Sequence, residues 1–243
     1  MNAKMVDYDN DYIPRSALVV FAHPDDAEFL VGGTVAKWTA TKCIVNYLVC
    51  TNGNVGIHNK RVPLEELALI RVTEQRRACD ILGVKDVFFL GLNDCELEPD
   101  LLLRREIVRI IRQYKPEIVI CDDPETIIFS DDFLPGEENI NHPDHRASGL
   151  ATIDAVFPCA SMPLLWPELG PPHNVKALYL RGDVQHNVWI DISATIEVKI
   201  KALLQHKSQL WEWDPRETIL SWATWEGRNK GMKFAEAFRV IKV

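Results

Sequence analysis

The sequence predicts an α/β fold, a mostly parallel sheet with helices on both faces. Three observations carry the prediction. Short apolar runs without period-2 alternation recur through the first half of the chain, as in strands buried on both faces. Segments with helical spacing separate those runs. The crossovers are long enough for parallel pairing. The 243 residues, 47% hydrophobic and 26% charged, are ordinary for a globular protein and leave room for one large domain or two small ones.

Residues 1–16 are acidic, lack the apolar run of a secretory signal and read as an N-terminal arm or short cap. Ala17–Ala22 is the first strand, followed by Gly32-Gly33 and a helix to about Thr39. Cys43–Cys50 is the second strand, ending at Thr51-Asn52-Gly53. Leu64–Leu82 carries apolar residues at helical spacing and stops at Gly83. Val87–Leu90 is the third strand. Leu101–Tyr114 is an amphipathic helix with Leu103, Ile107, Ile110 and Ile111 on one side, ended by Lys115-Pro116. Glu117–Cys121 is the fourth strand. Asp122–Asn141 is a long acidic loop of the kind that borders a site. His142–Val156 reads as a helix, and the five prolines between Pro158 and Pro172 mark an irregular connection. Short strands near Ala177–Leu180 and Val188–Ile190, a helix over Ser193–Gln209 and a Trp-rich C-terminus complete the chain. The layout is Rossmann-like, with short C-terminal strands and helices added, and residues 17–243 read as a single domain.

Lys plus Arg is 27 and Asp plus Glu is 35, for a formal charge of −8. An acidic surface repels phosphate backbones, so nucleic acid and anionic membranes are poor partners. No stretch approaches the ~18–20 apolar residues of a membrane span. The six cysteines form no C-x-x-C pair, and most sit in apolar runs, which points to free thiols and a cytoplasmic protein.

The chemistry concentrates in two segments. His23-Pro24-Asp25-Asp26-Ala27-Glu28 begins where the first strand ends, and ligands of parallel α/β sheets bind outside the carboxyl ends of strands. An imidazole and three carboxylates within six residues are costly to hold together without a cation. His23 and Asp26 lie three apart, so a turn aims both at one point, with Asp25 beside the metal rather than on it. Asn141-His142-Pro143-Asp144-His145 follows the fourth strand and returns to the same sheet edge. One of its two histidines completes a three-ligand site with a position open for water, the catalytic zinc pattern. The structural alternative is that His-Pro-Asp forms ordinary turns and that Asp25, Asp26 or Asp144 caps a helix. Two such segments at two strand ends favour the metal.

Together, His23-Pro-Asp-Asp-Ala-Glu28 and His142-Pro-Asp-His145 resemble the signature of the LmbE-like, or PIG-L, de-N-acetylase family. Gly32-Gly33-Thr34, Thr51-Asn-Gly-Asn54, Ile70-Arg71-x-x-Glu74, Leu82-Gly83-Val84, His206-x-Ser208-Gln209 and Glu236-Ala-Phe-Arg239 extend the resemblance over nearly all of Ala17–Val240. Asn52 departs from the Asp that often stands there. The resemblance implies a zinc-dependent hydrolase with His23, Asp26 and His145 as ligands and Asp25 as general base. It implies that His142 stabilises the oxyanion or protonates the amine, that Asp144 orients His142, and that Arg71 lies in the substrate pocket. The implied substrates are N-acetylglucosamine derivatives, and relatives assemble as trimers or hexamers, so a homo-oligomer is expected. The chemistry agrees. Zinc lowers the pKa of bound water from 15.7 toward ~7, and a carboxylate beside it takes the proton.

Glu28 is the next candidate base. His58, His173, His186 and His206 read as surface or hydrogen-bonded histidines. Trp211, Trp213, Trp222 and Trp225 read as core or interface packing before sugar stacking. The competing functions are a metal-dependent hydrolase of another amide or ester, and a non-catalytic sugar-binding module. Asp25 argues against the latter, which needs no free carboxylate beside a liganded metal.

Overall fold

The computed structural model describes residues 9–56, 62–130, 138–182 and 185–243. In chain order the strands are β1 (Ser16–Phe21), β2 (Ile44–Thr51), β3 (Asp86–Leu92), β4 (Ile118–Asp122), β5 (Ile128–Ser130), β6 (Glu138–Ile140), β7 (Ala177–Arg181), β8 (Val188–Asp191) and β9 (Ala235–Lys242). The helices are α1 (Asp26–Ala40), α2 (Leu64–Leu82), α3 (Leu101–Tyr114), α4 (Pro143–Val156), α5 (Ile196–Leu203), α6 (Lys207–Leu210) and α7 (Arg216–Gly227). A seven-stranded sheet runs in the order β3-β2-β1-β4-β7-β9-β8. The first five in that order pair in parallel, and β9 is antiparallel to both of its neighbours. The predicted mixed α/β architecture is therefore present.

The absence of alternation in the strands has a direct cause. Ala17, Val19 and Phe21 of β1 face a layer containing Val31, Val35 and Trp38 of α1. Leu18 and Val20 face the opposite layer, with Ile107, Ile111 and Ala151 of α3 and α4. Each side chain of this size contributes ~1.5–3 kcal/mol when buried, and a strand covered on both faces has no position to leave polar. Gly33 lets α1 approach the connection between β8 and α5 closely, since a Cβ there would lie 2.7 Å from Ile192. The α2 helix stops at Gly83, whose φ of 74° suits the left-handed cap.

Several elements depart from expectation. The first helix begins at Asp26, inside the first motif. The helix expected over Ser193–Gln209 is broken into α5 and α6, because His206 turns inward to Glu28 (3.1 Å) and the Ser208 N–H and hydroxyl donate to Glu74 (2.8 and 2.7 Å). The 122–141 loop contains the β5–β6 hairpin, whose tip lies outside the described residues. The C-terminus supplies β9, an unexpected strand inserted between β7 and β8. Residues 9–15, the described part of the segment before β1, pack against the sheet: the Tyr12 hydroxyl donates to Glu117 (2.8 Å), and Asn10 accepts from the Trp189 N–H (2.8 Å). The Pro-rich connection is organised by buried Arg112, which donates to the carbonyls of Cys159, Ala160, Met162 and Trp166. All six cysteines are free and only Cys95 is exposed.

Candidate metal centre

The chain leaves β1 toward β2 on one side, and β4 lies on the other. The crevice at their carboxyl ends is the topological switch point where ligands of such sheets bind. The first motif follows β1 directly. The second opens α4, with Pro143 at a position where a missing N–H costs nothing.

His23, Asp26 and His145 converge there. His23 Nδ1 is 3.2 Å from His145 Nε2 and 3.3 Å from Asp26 Oδ2, and His145 Nε2 is 3.2 Å from Asp26 Oδ1. A tetrahedral ion with bonds of ~2.0–2.1 Å sets its ligands roughly 3.3 Å apart. The donor set thus fits a zinc-like ion: two imidazole nitrogens face each other across a carboxylate. The backbone N–H of His23 donates to Asp26 Oδ2 (2.7 Å) and fixes that carboxylate.

His23 Nε2 lies between two carboxylates, Asp94 (3.1 Å) and Asp144 (3.2 Å). Both acceptors place the ring proton on Nε2 and leave Nδ1 with a lone pair toward the site, the usual outer support of a ligating histidine. Asp144 also accepts the N–H groups of Cys95 (2.8 Å) and Leu97 (3.2 Å). Burial opposes a charged His145, but Asp26 and Asp122 outweigh it and lift the group to about 9. Burial pushes the Asp122 carboxyl up to about 7. The pocket's field favours positive charge, which a divalent ion supplies.

Asp25 stands beside the ligands with φ of 114°, an uncommon conformation for a side chain larger than glycine. Its N–H donates to Gln75 (2.9 Å) and its carboxylate accepts from Arg71 (3.2 Å). Burial raises its pKa, and Arg71 opposes that rise. The Arg71 guanidinium also donates to the carbonyls of Pro24 (2.6 Å) and Gly53 (2.9 Å). Gly53 is required here, since a Cβ would lie 2.2 Å from Arg71 Nη1. Arg71 is only 3% exposed, so what the structure shows is a clamp on Pro24-Asp25 rather than an open substrate contact.

The His142 ring lies edge-on to His23. Its Nδ1 accepts the Asp144 backbone N–H (3.2 Å), which puts the proton of the neutral ring on Nε2, 3.5 Å from Cys95 Sγ. Burial and the neighbouring imidazoles lower its pKa. Asp144 was expected to orient His142 with its carboxylate. That carboxylate holds His23 instead, and the contact to His142 comes from the Asp144 backbone.

Residues 18–156 match the family model described as PIG-L, GlcNAc-PI de-N-acetylase. The chain is 35% identical over 236 residues to the diacetylchitobiose deacetylase of Thermococcus kodakarensis, covering 93% of this chain and 83% of that protein. The chain belongs to the PIG-L de-N-acetylase family. It is also 31% identical to a probable N-acetyl-α-D-glucosaminyl L-malate deacetylase 2 of Bacillus anthracis, covering 80% of this chain and 81% of that one. The solved N,N′-diacetylchitobiose deacetylase of Pyrococcus horikoshii, in complex with an inhibitor, superposes with a TM-score of 0.83 at 28% identity, covering 94% of this chain and 84% of that one.

The remaining residues of the PIG-L resemblance are largely structural. Glu28 is fully buried and held by Gln75 (3.0 Å) and His206, away from the role of alternative base. Glu236 accepts from Lys199 (2.6 Å) and from the N–H groups of Gly33 and Thr34 (2.9 and 2.7 Å), tying β9 to α1 and α5. His173 and His186 bond the carbonyls of Pro116 and Gly182, and His58 lies outside the described residues. Trp211, Trp213, Trp222 and Trp225 are 37–54% exposed, too open for core packing. Asp94, Gln75 and Asp122 are site residues that sequence reasoning missed; the one signal for Asp94 is its place just beyond the third strand.

Proposed function

We propose that this protein is a zinc-dependent N-deacetylase that hydrolyses the acetamide of a small N-acetylglucosamine-containing sugar, a chitobiose-like compound or a GlcNAc glycoside. The observation that carries the reading is the triangle of His23, Asp26 and His145 donors, separated by 3.2–3.3 Å. The deacetylase relatives, which act by their names on diacetylchitobiose and GlcNAc-malate, support the substrate class.

Zinc held by these three residues supplies a Lewis acid and lowers the pKa of water. Asp25, held in place by Arg71 and Gln75, takes the water proton and passes it to the departing amine nitrogen as the C–N bond breaks. His142, with its proton on Nε2, donates to the amide oxygen as charge gathers there. Asp94 and Asp144 keep His23 in its ligating tautomer. Among the described residues no helix is long and apolar enough to cross a membrane. With five buried free thiols, this supports a cytoplasmic enzyme. We read residues 17–243 as one domain preceded by the 1–16 arm. We read the exposed tryptophans as a subunit interface of a homo-oligomer, the trimer or hexamer that the resemblance implies.

The test combines metal analysis with amine release from N,N′-diacetylchitobiose, N-acetylglucosamine and GlcNAc-malate. The parent is expected to hold one zinc per chain and release amine from at least one sugar. His145→Ala is expected to lose metal and activity together while its circular dichroism is unchanged. Full metal content in that variant would refute the ligand set, and no amine release from the zinc-loaded parent would refute the substrate class.

A further inference from the structure

The general base stands on a backbone that needs support. Asp25 has φ of 114° and ψ of −27°. A residue with a Cβ holds such a conformation only where its surroundings over-determine it. Two side chains one turn apart on α2 supply the first layer of support. Arg71 donates to the Pro24 carbonyl (2.6 Å) and the Asp25 carboxylate (3.2 Å), and Gln75 accepts the Asp25 N–H (2.9 Å).

The Gln75 amide gives that support only one way round. A backbone N–H can only donate, so Gln75 must present Oε1 to Asp25 and turn its nitrogen away. On that far side Gln75 Nε2 meets both oxygens of Glu28 (3.0 and 3.1 Å). His206 Nε2 lies 3.1 Å from Glu28 Oε2 and closes the chain of contacts. Gln75 is 1% exposed, and Glu28 and His206 are 0% exposed. Beside this chain, Glu74 accepts from the Ser208 N–H and hydroxyl, which locks α6 to α2 at the same level.

Core packing does not explain these residues. A buried carboxylate beside an imidazole is no more stabilising than apolar side chains of the same volume. The arrangement also has two costs. His206 turns inward and breaks the helix into α5 and α6, and its Nδ1 is left buried without a hydrogen-bond partner among the described residues. Apolar residues would fill the space without either cost. What they cannot do is fix the Gln75 amide. Without an acceptor at position 28, the amide is free to turn its nitrogen toward the Asp25 N–H, donor against donor, and the support of the base is lost.

We propose that Glu28 and His206 are positioning residues for the general base. Through the Gln75 amide they hold the Asp25 backbone in the one conformation that sets its carboxylate beside the metal ligands. Glu28 orients the amide, and His206 holds Glu28 from the side opposite Gln75. Both are fully buried, so they act on the chemistry only through Gln75. The catalytic part of the proposal rests on the deacetylase reading and on Asp25 as its base; the positioning part does not.

Two measurements on the zinc-loaded full chain test it. Hydrogen exchange of the Asp25 amide, read by NMR, needs no turnover. Gln75→Met is expected to speed it at least about tenfold, and Glu28→Gln and His206→Leu about threefold each, since a weaker or unsupported acceptor then faces the amide. Steady-state amine release is the second measurement. The same variants are expected to lower kcat by similar factors, with KM and zinc content at the parent's values. In an Asp25→Asn background each is expected to change kcat by less than about twofold, because residues that act through one group are not additive. Unchanged Asp25 exchange in the isosteric Glu28→Gln would overturn the proposal. So would equal losses of kcat in the parent and Asp25→Asn backgrounds, or loss of zinc together with activity, either of which would route the effect through the metal ligands. A zinc-loaded parent that releases no amine, with the exchange changes present, would refute the deacetylase reading and support the positioning of Asp25.

Discussion

The two edges of one sheet carry opposite charge. At the carboxyl edge, Asp25, Asp26, Asp94, Asp122 and Asp144 are all buried around three imidazoles. At the amino edge, Arg15, Lys85, Lys115 and Lys176 line a cleft with one carboxylate, Glu117. The difference follows from parallel topology. Every βα connection emerges at one end, so the loops there can be devoted to chemistry. The starting turns of α1 and α4 also point their positive ends at that edge, and each carries an aspartate in its first turn, Asp26 and Asp144. The net charge of −8 is thus an average over two unlike surfaces, and it conceals the basic one.

The largest expected effect is at the acidic edge, where Asp25 stands beside the three ligands without bonding a site imidazole. Its contacts are Arg71 and Gln75. Asp25→Asn is expected to keep bound metal and lose ~10²–10⁴-fold in kcat, the usual share of a general base. Metal analysis beside steady-state amine release checks it. Undiminished turnover in a metal-replete variant would move the base away from Asp25, and fully buried Glu28 is not placed to replace it.

A smaller effect is expected one shell outward. Asp94→Ala removes one of the two carboxylates on His23 Nε2, and Asp144 remains. Loss of an outer partner typically costs 10–100-fold in metal affinity, and the surviving Asp144 places this variant near ~10-fold. Competition with a zinc chelator measures it. An unchanged affinity would mean that Asp144 alone sets the tautomer of His23.

These residues also show what was legible in advance. His23 and Asp26 are three apart on one turn, so their convergence is a local property of the chain. His145 is distant in sequence, but it follows a strand that topology returns to the same edge. Asp94 has neither advantage: its neighbours Asn93 and Cys95 carry no pattern, and it meets His23 only across two strand ends. The strand cores were legible because both faces are apolar. Strand β9 was not, since buried Glu236 and half-buried Arg239 interrupt its apolar run, and their partners, Lys199 of α5 and Asp123 and Glu125 of the loop after β4, come from two other segments. Arg71 was legible as important but not as a clamp, because its contacts are backbone carbonyls that no side-chain pattern reveals.

The smallest effect is expected at the basic edge and tests stability rather than turnover. Burial alone would raise the Glu117 carboxyl, but the Lys176 ammonium, the Arg15 N–H and the Tyr12 hydroxyl outweigh it and hold the group at about 2, below its ordinary 4.5. A carboxylate with a depressed folded pKa stabilises the protein above its unfolded pKa, and that contribution fades as pH falls through the folded one. Glu117→Gln is therefore expected to lower stability at pH 7 by roughly 1–3 kcal/mol, as for a hydrogen-bonded charged acceptor. The gap between parent and variant should narrow below pH 4.5 and close only below pH 2, where Glu117 becomes protonated in both states. Denaturant midpoints at pH 7 and pH 3 give the comparison. A gap independent of pH would mean that the carboxylate's shape, not its charge, anchors Tyr12, Arg15 and Lys176. A gap that shrinks with acid would show that one buried anion holds the rim of the cationic cleft together, as the metal ligands' carboxylates do at the other edge.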